Sequence, residues 1–182
     1  MDRELEVKVL NIVKDEIEKK LSNVGASLIK REKQINYLLD SKDNSIQHKN
    51  NSYLRLRETK DLDTNQTKYT LTLKENVSKD GIRENVEISS DIEDKKAILY
   101  IMEVLGYDVI QKGFKERISY IYDGIRFDID TWDENTYPYT YMEIEVEEQD
   151  DLTKAIKLLD IDEKNISTKS IVELRKDLGL TT

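Results

Sequence analysis

Seven stretches of the chain alternate between charged or polar residues and apolar ones with a period of two. Residues 4–10 set Glu4, Glu6 and Lys8 against Leu5, Val7 and Val9. Residues 53–57 set Arg55 and Arg57 against Leu54 and Leu56, and residues 69–74 set Thr70, Thr72 and Lys74 against Tyr69, Leu71 and Leu73. Residues 82–88 oppose Arg83, Asn85 and Glu87 to Ile82, Val86 and Ile88. Residues 114–120 oppose Lys115, Arg117 and Ser119 to Phe114, Ile118 and Tyr120. Residues 125–132 oppose Arg126, Asp128 and Asp130 to Ile125, Phe127 and Ile129, and residues 141–147 oppose Glu143, Glu145 and Glu147 to Met142, Ile144 and Val146. Successive side chains of a strand point to opposite faces, so each set shares one face of a predicted strand.

Apolar spacing near 3.6 predicts four helices. Ile17, Leu21 and Val24 share a face before Gly25, a helix stop. Ile98, Ile101, Met102 and Leu105 repeat the pattern up to Gly106, with Asp91 and Asp94 as acidic start signals. Leu152, Ile156 and Leu159 form a third stripe. Ser167 is placed to cap a last helix that buries Ile171, Leu174 and Leu178 and stops at Gly179. The polar stretches 41–52, 59–67 and 76–81 read as irregular, the last two as hairpin connections, and 133–139 reads as a loop around Pro138. With one proline and six glycines in 182 residues, no flexible linker is visible, and a single domain over 1–182 is expected.

Composition narrows the chemistry. The net charge of -9 disfavours a nucleic-acid surface, which needs a basic face. The absence of cysteine excludes disulfides, thiolate metal sites and cysteine nucleophiles, and His48, the only histidine, has no second imidazole to form a ligand pair. No apolar run approaches the roughly 18 residues of a membrane span, and the charged start of the chain lacks a signal-peptide core. The expectation is a soluble cytoplasmic protein without a membrane partner, whose metal, if it has one, is held by oxygen.

Charged alternation ordinarily marks the solvent face of a half-buried sheet. Here, however, like charges recur in same-face pairs: Glu4 with Glu6, Arg55 with Arg57, Lys115 with Arg117, Glu143 with Glu145. Such i, i+2 neighbours lie roughly 7 Å apart and repel unless an opposite charge sits between them. The acid pairs call for a cation and the base pairs for a polyanion. An α+β fold satisfies both: a closed antiparallel β-barrel with a charged interior, its apolar exterior covered by the helices.

These segments resemble, in order, the CYTH or triphosphate tunnel metalloenzyme superfamily. Its E-x-E-x-K strand is matched by Glu4, Glu6 and Lys8, and its Q-x-D-x-Y strand by Gln34-Ile35-Asn36-Tyr37, with Asn36 where aspartate is common. Its R-x-R strand is matched by Arg55 and Arg57, a strand ending in lysine by Lys74, and R-x-x-x-E by Arg83 and Glu87. K-x-R, D-x-D-x-W and E-x-E are matched by Lys115 and Arg117, by Asp128, Asp130 and Trp132, and by Glu143 and Glu145. The C-terminal Ser-Tyr element of many members stands here as Ser170-Ile171. The overall likeness is to the class IV adenylyl-cyclase-like and thiamine-triphosphatase-like members.

The resemblance implies a site for a triphosphate-containing small molecule. Arg55, Arg57, Lys74, Arg83, Lys115, Arg117 and Arg126 would face its phosphates, arginine by paired donors and lysine as a point charge. Glu4, Glu6, Glu143 and Glu145 would hold Mg2+ or Mn2+. Lys8 would orient or deprotonate the nucleophile, with Glu87 and Asp130 positioning metal-bound water or substrate, or else holding tunnel arginines in place. The leading reading is metal-dependent hydrolysis of an inorganic or organic triphosphate. Cyclisation of ATP to cyclic AMP is its rival among enzymes, a non-catalytic polyphosphate- or nucleotide-binding module its rival of another class, and a homodimer is compatible with all of them.

Overall fold

The alternating segments fold as strands and join edge to edge. The computed structural model describes residues 2–49, 52–77 and 83–180, with the side chains of residues 2–4 and 83 excepted. Its strands are β1 (Asp2–Val9), β2 (Ser27–Asp40), β3 (Tyr53–Asp61), β4 (Thr67–Asn76), β5 (Arg83–Ile92), β6 (Asp108–Tyr122), β7 (Ile125–Trp132), β8 (Tyr141–Val146) and the short β9 (Ile166–Ser167). Between and after them lie the helices α1 (Lys14–Asn23), α2 (Ser45–His48), α3 (Lys95–Val104), α4 (Gln149–Leu158) and α5 (Ile171–Asp177). The strand order is β5-β4-β3-β2-β6-β7-β8-β1, and β1 also pairs with β5 through Leu5↔Glu84 and Glu6↔Arg83. That pairing closes an eight-stranded antiparallel barrel. β9 adds to β1 beyond the closure, with Ser167 opposite Lys8.

The wall contains one strand more than the seven alternating stretches. β2 is marked only by the resemblance, at Gln34–Tyr37, and hides from the alternation because Lys30 to Lys33 are charged on both faces. Only from Glu32 onward do Glu32, Gln34 and Asn36 turn inward, each buried. One tight turn is dictated locally: Asp123 and Gly124 have φ of 49° and 77°, the left-handed pair that a two-residue hairpin such as β6–β7 requires.

The apolar core lies outside the barrel. Val7, Val9, Phe127, Ile129, Met142 and Ile144 project from β1, β7 and β8 and are buried beneath Ile17 and Leu21 of α1 and Leu152 and Ala155 of α4. Full burial of side chains of this size contributes roughly 1.5–3 kcal/mol each. This half of the exterior is covered as the sequence predicts.

Helix details depart from expectation in three places. The last helix is capped by Ser170, whose hydroxyl accepts from the Glu173 amide while Glu173 accepts from the Ser170 amide, a reciprocal box that Ser167 cannot form from its place in β9. Leu178 lies past that helix and is 42% exposed. The stretch 41–52 contains the single turn α2, nucleated by Asp40, whose buried carboxylate accepts from the amides of Ser41, Ile46 and Gln47. Finally, α3 buries none of its residues, and Ile101 and Leu105, expected on its covered face, are 50% and 65% exposed. Among the described residues no helix is long and apolar enough to cross a membrane.

Candidate functional site

Because the core sits outside, the inward faces of the strands enclose a polar cavity of about 370 Å3. That size falls within the range of small-molecule sites. Of the residues singled out by sequence, Glu6, Lys8, Arg55, Arg57, Lys74, Glu87, Lys115, Arg117, Arg126, Glu143 and Glu145 all line it. The backbone of Glu4 pairs with Asn85 and that of Arg83 with Glu6, while their side chains lie outside the described residues. Asp130 does not line the cavity: it is wholly buried behind Lys115 and Arg117.

Cross-strand register decides what each charge faces. Glu6 stands opposite Glu145 and Lys8 opposite Glu143 on the β1–β8 pair. The Lys8 ammonium lies 3.1 Å from Glu143 and 3.8 Å from Glu6. Lys74 reaches Glu87 at 2.8 Å and Glu6 at 3.6 Å, and Asn85 donates to Glu6 at 3.1 Å. Burial alone would raise the Glu143 carboxyl, but Lys8, Arg117 and Lys115 overrule it and hold the group well below the usual carboxylate range. Burial likewise works against the charge on Glu87, and Lys74 and Arg55 hold its carboxyl down.

The cations divide into two kinds. Arg117 is saturated: it donates twice to Asp130, at 2.7 and 2.6 Å, and at 2.6 Å each to Asp128 and Glu143. It acts as a pin that satisfies two buried acids, Asp128 and Asp130, and the half-buried Glu143. Lys115 donates to Asp130 at 2.7 Å and Arg126 to Asp128 at 3.0 Å. By contrast, the residues directly opposite Arg57, Asn36 and Thr70, are neutral, and its Nε–H donates to the Asn36 side-chain oxygen Oδ1 at 2.9 Å. Although Arg57 touches the cavity, protein surrounds it, and burial beside Arg55 and Arg117 lowers its pKa to about 9. Burial beside Arg117 lowers Lys115 to about 7. Two donors on this wall, Arg55 Nε and Asn36 Nδ2, are buried with no hydrogen-bond partner. A buried donor left unmade costs about 1–3 kcal/mol, which a ligand acceptor would recover.

The acids bear on metal. Among the described residues no three acidic or histidine side chains form a metal-holding cluster. Mg2+, however, ordinarily takes one or two carboxylates and completes its shell with water and substrate phosphate. The opposed pair Glu6 and Glu145 fits that requirement in number, with Glu6 also held by Lys8, Lys74 and Asn85, and Glu143 engaged by Lys8 and Arg117.

Several cavity residues were not singled out by sequence. Asn36 lines the cavity although the sequence marks it only as a departure from aspartate, while Gln34 and Asn85, both named in the strand patterns, are buried amides of the inner face. Trp132 lies under the Lys115 ammonium, 5.1 Å from its ring centroid, and donates to the Tyr141 hydroxyl at 2.9 Å. Thr136 comes from the 133–139 loop, so close to Gly113 that a Cβ there would lie 2.7 Å from the threonine hydroxyl. Ser170, Ile171, Val172 and Glu173 bring the start of α5 to the same cavity, and Arg175 ties that helix to the loop by donating to the Thr136 carbonyl at 2.7 Å. The sequence marks this segment through the resemblance alone, as Ser170-Ile171 in place of the family's Ser-Tyr element.

A closed antiparallel barrel with an inward charge lining of opposed acids and bases is the architecture of a triphosphate tunnel. The chain belongs to the CYTH domain family, which matches residues 2–173. No curated protein matches it in sequence. Among solved structures it is similar to the Pyrococcus horikoshii protein PH1819, with a TM-score of 0.77 and 22% identity over 96% of this chain and 99% of that one. It is similar to PH1012 of the same organism, with a TM-score of 0.75 and 21% identity over 94% and 98%. It is also similar to HpAC1 of Hippeastrum, described as having a dominant triphosphatase activity, with a TM-score of 0.67 and 15% identity over 97% and 96%. At these identities the likeness is one of fold.

Proposed function

We propose that the chain hydrolyses a triphosphate with the help of Mg2+ or Mn2+. The observation that carries this reading is the wall formed by Arg55, Arg57 and Asn36. It holds two buried donors without partners and an arginine whose ladder neighbours are neutral and whose nearest charges include Arg55 and Arg117, an arrangement that calls for a polyanion. Lys74, Lys115 and Arg126 extend the positive field along the cavity. Glu6 and Glu145 would hold the metal, joined by Glu4 on the same strand; bound there, the ion supplies charge neutralisation at the phosphate oxygens.

Lys8 stands beside the acids proposed to hold the metal, buried and within 4 Å of both Glu6 and Glu143. In this reading it orients the attacking water. Glu87 and Asp130 are positioning residues, the first holding Lys74 and the second Lys115 and Arg117. The activity of HpAC1 and the family membership agree with this assignment.

The test is incubation of the pure protein with Mg2+ or Mn2+ and a panel of tripolyphosphate, ATP and thiamine triphosphate, with products identified by mass. Release of orthophosphate or pyrophosphate with a linear product is expected. Cyclic AMP from ATP would replace hydrolysis by cyclisation, and binding without turnover would reduce the chain to a binding module.

A further inference from the structure

The inward row of β7 ends in an aromatic ring. Trp132 follows Asp130 on the same strand face, and Lys115 stands opposite Trp132 on β6. The buried Lys115 ammonium lies between the two, 2.7 Å from the Asp130 carboxylate and 5.1 Å from the centroid of the Trp132 ring. The seat of that ring is built from both sides. Its N–H donates to the Tyr141 hydroxyl at 2.9 Å, and Tyr141 is buried in a small core with Tyr137 and Leu174. Burial beside Asp130 and Glu143 holds the Tyr141 hydroxyl well above its ordinary pKa, so it stays protonated and neutral. On β6, Gly113 gives the ring its room: a Cβ there would stand 3.0 Å from Trp132 Cζ3. The arrangement recurs on β8. Lys8 lies 3.1 Å from Glu143 and 5.8 Å from the centroid of the Tyr141 ring, again an acid and a ring two residues apart on a neighbouring strand.

We propose that Trp132 is a positioning residue of the phosphate site, its ring face holding the Lys115 ammonium charged and turned into the cavity. The choice of a ring carries the argument. A second carboxylate in that place would neutralise Lys115 and repel a phosphate. An indole face attracts the cation through its quadrupole and adds no net charge to the tunnel. The attraction matters because the other charges around Lys115 are divided: Asp130 and Glu143 favour its proton, Arg117 and Arg57 oppose it, and Gln34 across on β2 is neutral. Burial beside Arg117 brings the group to about 7, where a small added attraction decides its charge. This role rests on the polyanion reading of the tunnel and adds to it the residue that keeps this part of the wall positive.

Trp132 is the only tryptophan of the chain, so its emission reports on this one contact. In the ligand-free protein the emission should shift between pH 6 and pH 9 with a midpoint near 7, and the step should vanish in Lys115→Met. That arm uses no ligand and is independent of the polyanion reading. Calorimetry with tripolyphosphate is the second arm, with circular dichroism as the check on folding. Trp132→Leu should raise Kd about tenfold at pH 8.5, where Lys115 gains its proton on binding, and by no more than about twofold at pH 6, where it is charged before and after. Trp132→Phe keeps a ring face and should recover most of the affinity at pH 8.5; if Trp132→Leu does not fold, Trp132→Phe is compared with the wild type at both pH values. An emission without the pH step, or a step that persists in Lys115→Met, would overturn the proposal by removing the contact. An equal rise in Kd at both pH values, or Trp132→Phe as weak as Trp132→Leu, would overturn it by reducing Trp132 to packing. A wild type with the emission step but no tripolyphosphate binding would overturn the polyanion reading and this role with it.

Discussion

Glu6 and Glu145 face each other directly across the β1–β8 pair of the tunnel wall. Like charges opposite one another destabilise a sheet, so the pair persists only with cations near it. Lys74 and Lys8 supply part of that charge at 3.6 and 3.8 Å from Glu6, and a divalent metal would supply more. Glu145→Gln relieves this repulsion but also removes the acid opposite Arg126, so the thermal midpoint in the absence of metal should change little, while the Mn2+-induced upward shift and metal-dependent turnover are lost. Differential scanning calorimetry with and without Mn2+ reads the first pair of outcomes. A Mn2+ shift that survives in the Glu6→Gln, Glu145→Gln double variant would take both residues out of the metal site.

Arg57 and Arg117 belong to similar sequence patterns but should fail in opposite ways. Arg57→Ala removes a cation that has no acid partner across either neighbouring strand, and should weaken tripolyphosphate binding by about 1.5–3 kcal/mol with little change in stability. Arg117→Met leaves Asp128, Asp130 and Glu143 without their shared counter-charge and should cost about 3–5 kcal/mol of folding stability. Urea unfolding beside titration calorimetry separates the two. Equal losses of stability would mean that Arg57 is a structural pin as well.

Lys8→Ala should lower turnover more than binding. Its ammonium sits against Glu143 and near Glu6, beside the acid pair. Loss of a group that acts on the nucleophile reduces kcat, whereas loss of uniform phosphate binding raises KM. An unchanged kcat with a raised KM would move Lys8 into the phosphate cradle.

Binding should take up protons above pH 7. Burial and the neighbouring Arg117 bring Lys115 down to about 7, so above that pH it is largely neutral in the empty tunnel. A polyanion beside it favours the charged form and raises its pKa again. Calorimetry of tripolyphosphate binding at pH 8, in buffers of differing ionisation enthalpy, should show proton uptake approaching one, with little at pH 6. The same depressed pKa carries a stability consequence. The penalty for a charged Lys115 is full below about 7 and is relieved as pH rises from there toward the ordinary lysine range, so stability should climb over that window. Lys115→Met should flatten both profiles.

Parity was legible in the chain itself. A strand whose inward set is Glu6 and Lys8 cannot also point Val7 inward, so once the outer face became the core, every alternating residue had its side assigned. The closed barrel and most of the cavity lining follow from that. Two things did not follow. β2 escaped the alternation because Lys30 to Lys33 are charged on both faces, with Glu32 buried on the inward side and Arg31 and Lys33 exposed on the outward one. And nothing in R-x-R or K-x-R distinguishes a phosphate arginine from a pinned one. Only the pairing of β6 with β7 puts Asp130 opposite Arg117, and only the pairing of β3 with β2 and β4 leaves Arg57 between Asn36 and Thr70. Side-chain direction is local, set by the two-residue period of the backbone. The identity of the charge across the ladder is set by which strands meet, and that is decided by closure of the whole sheet.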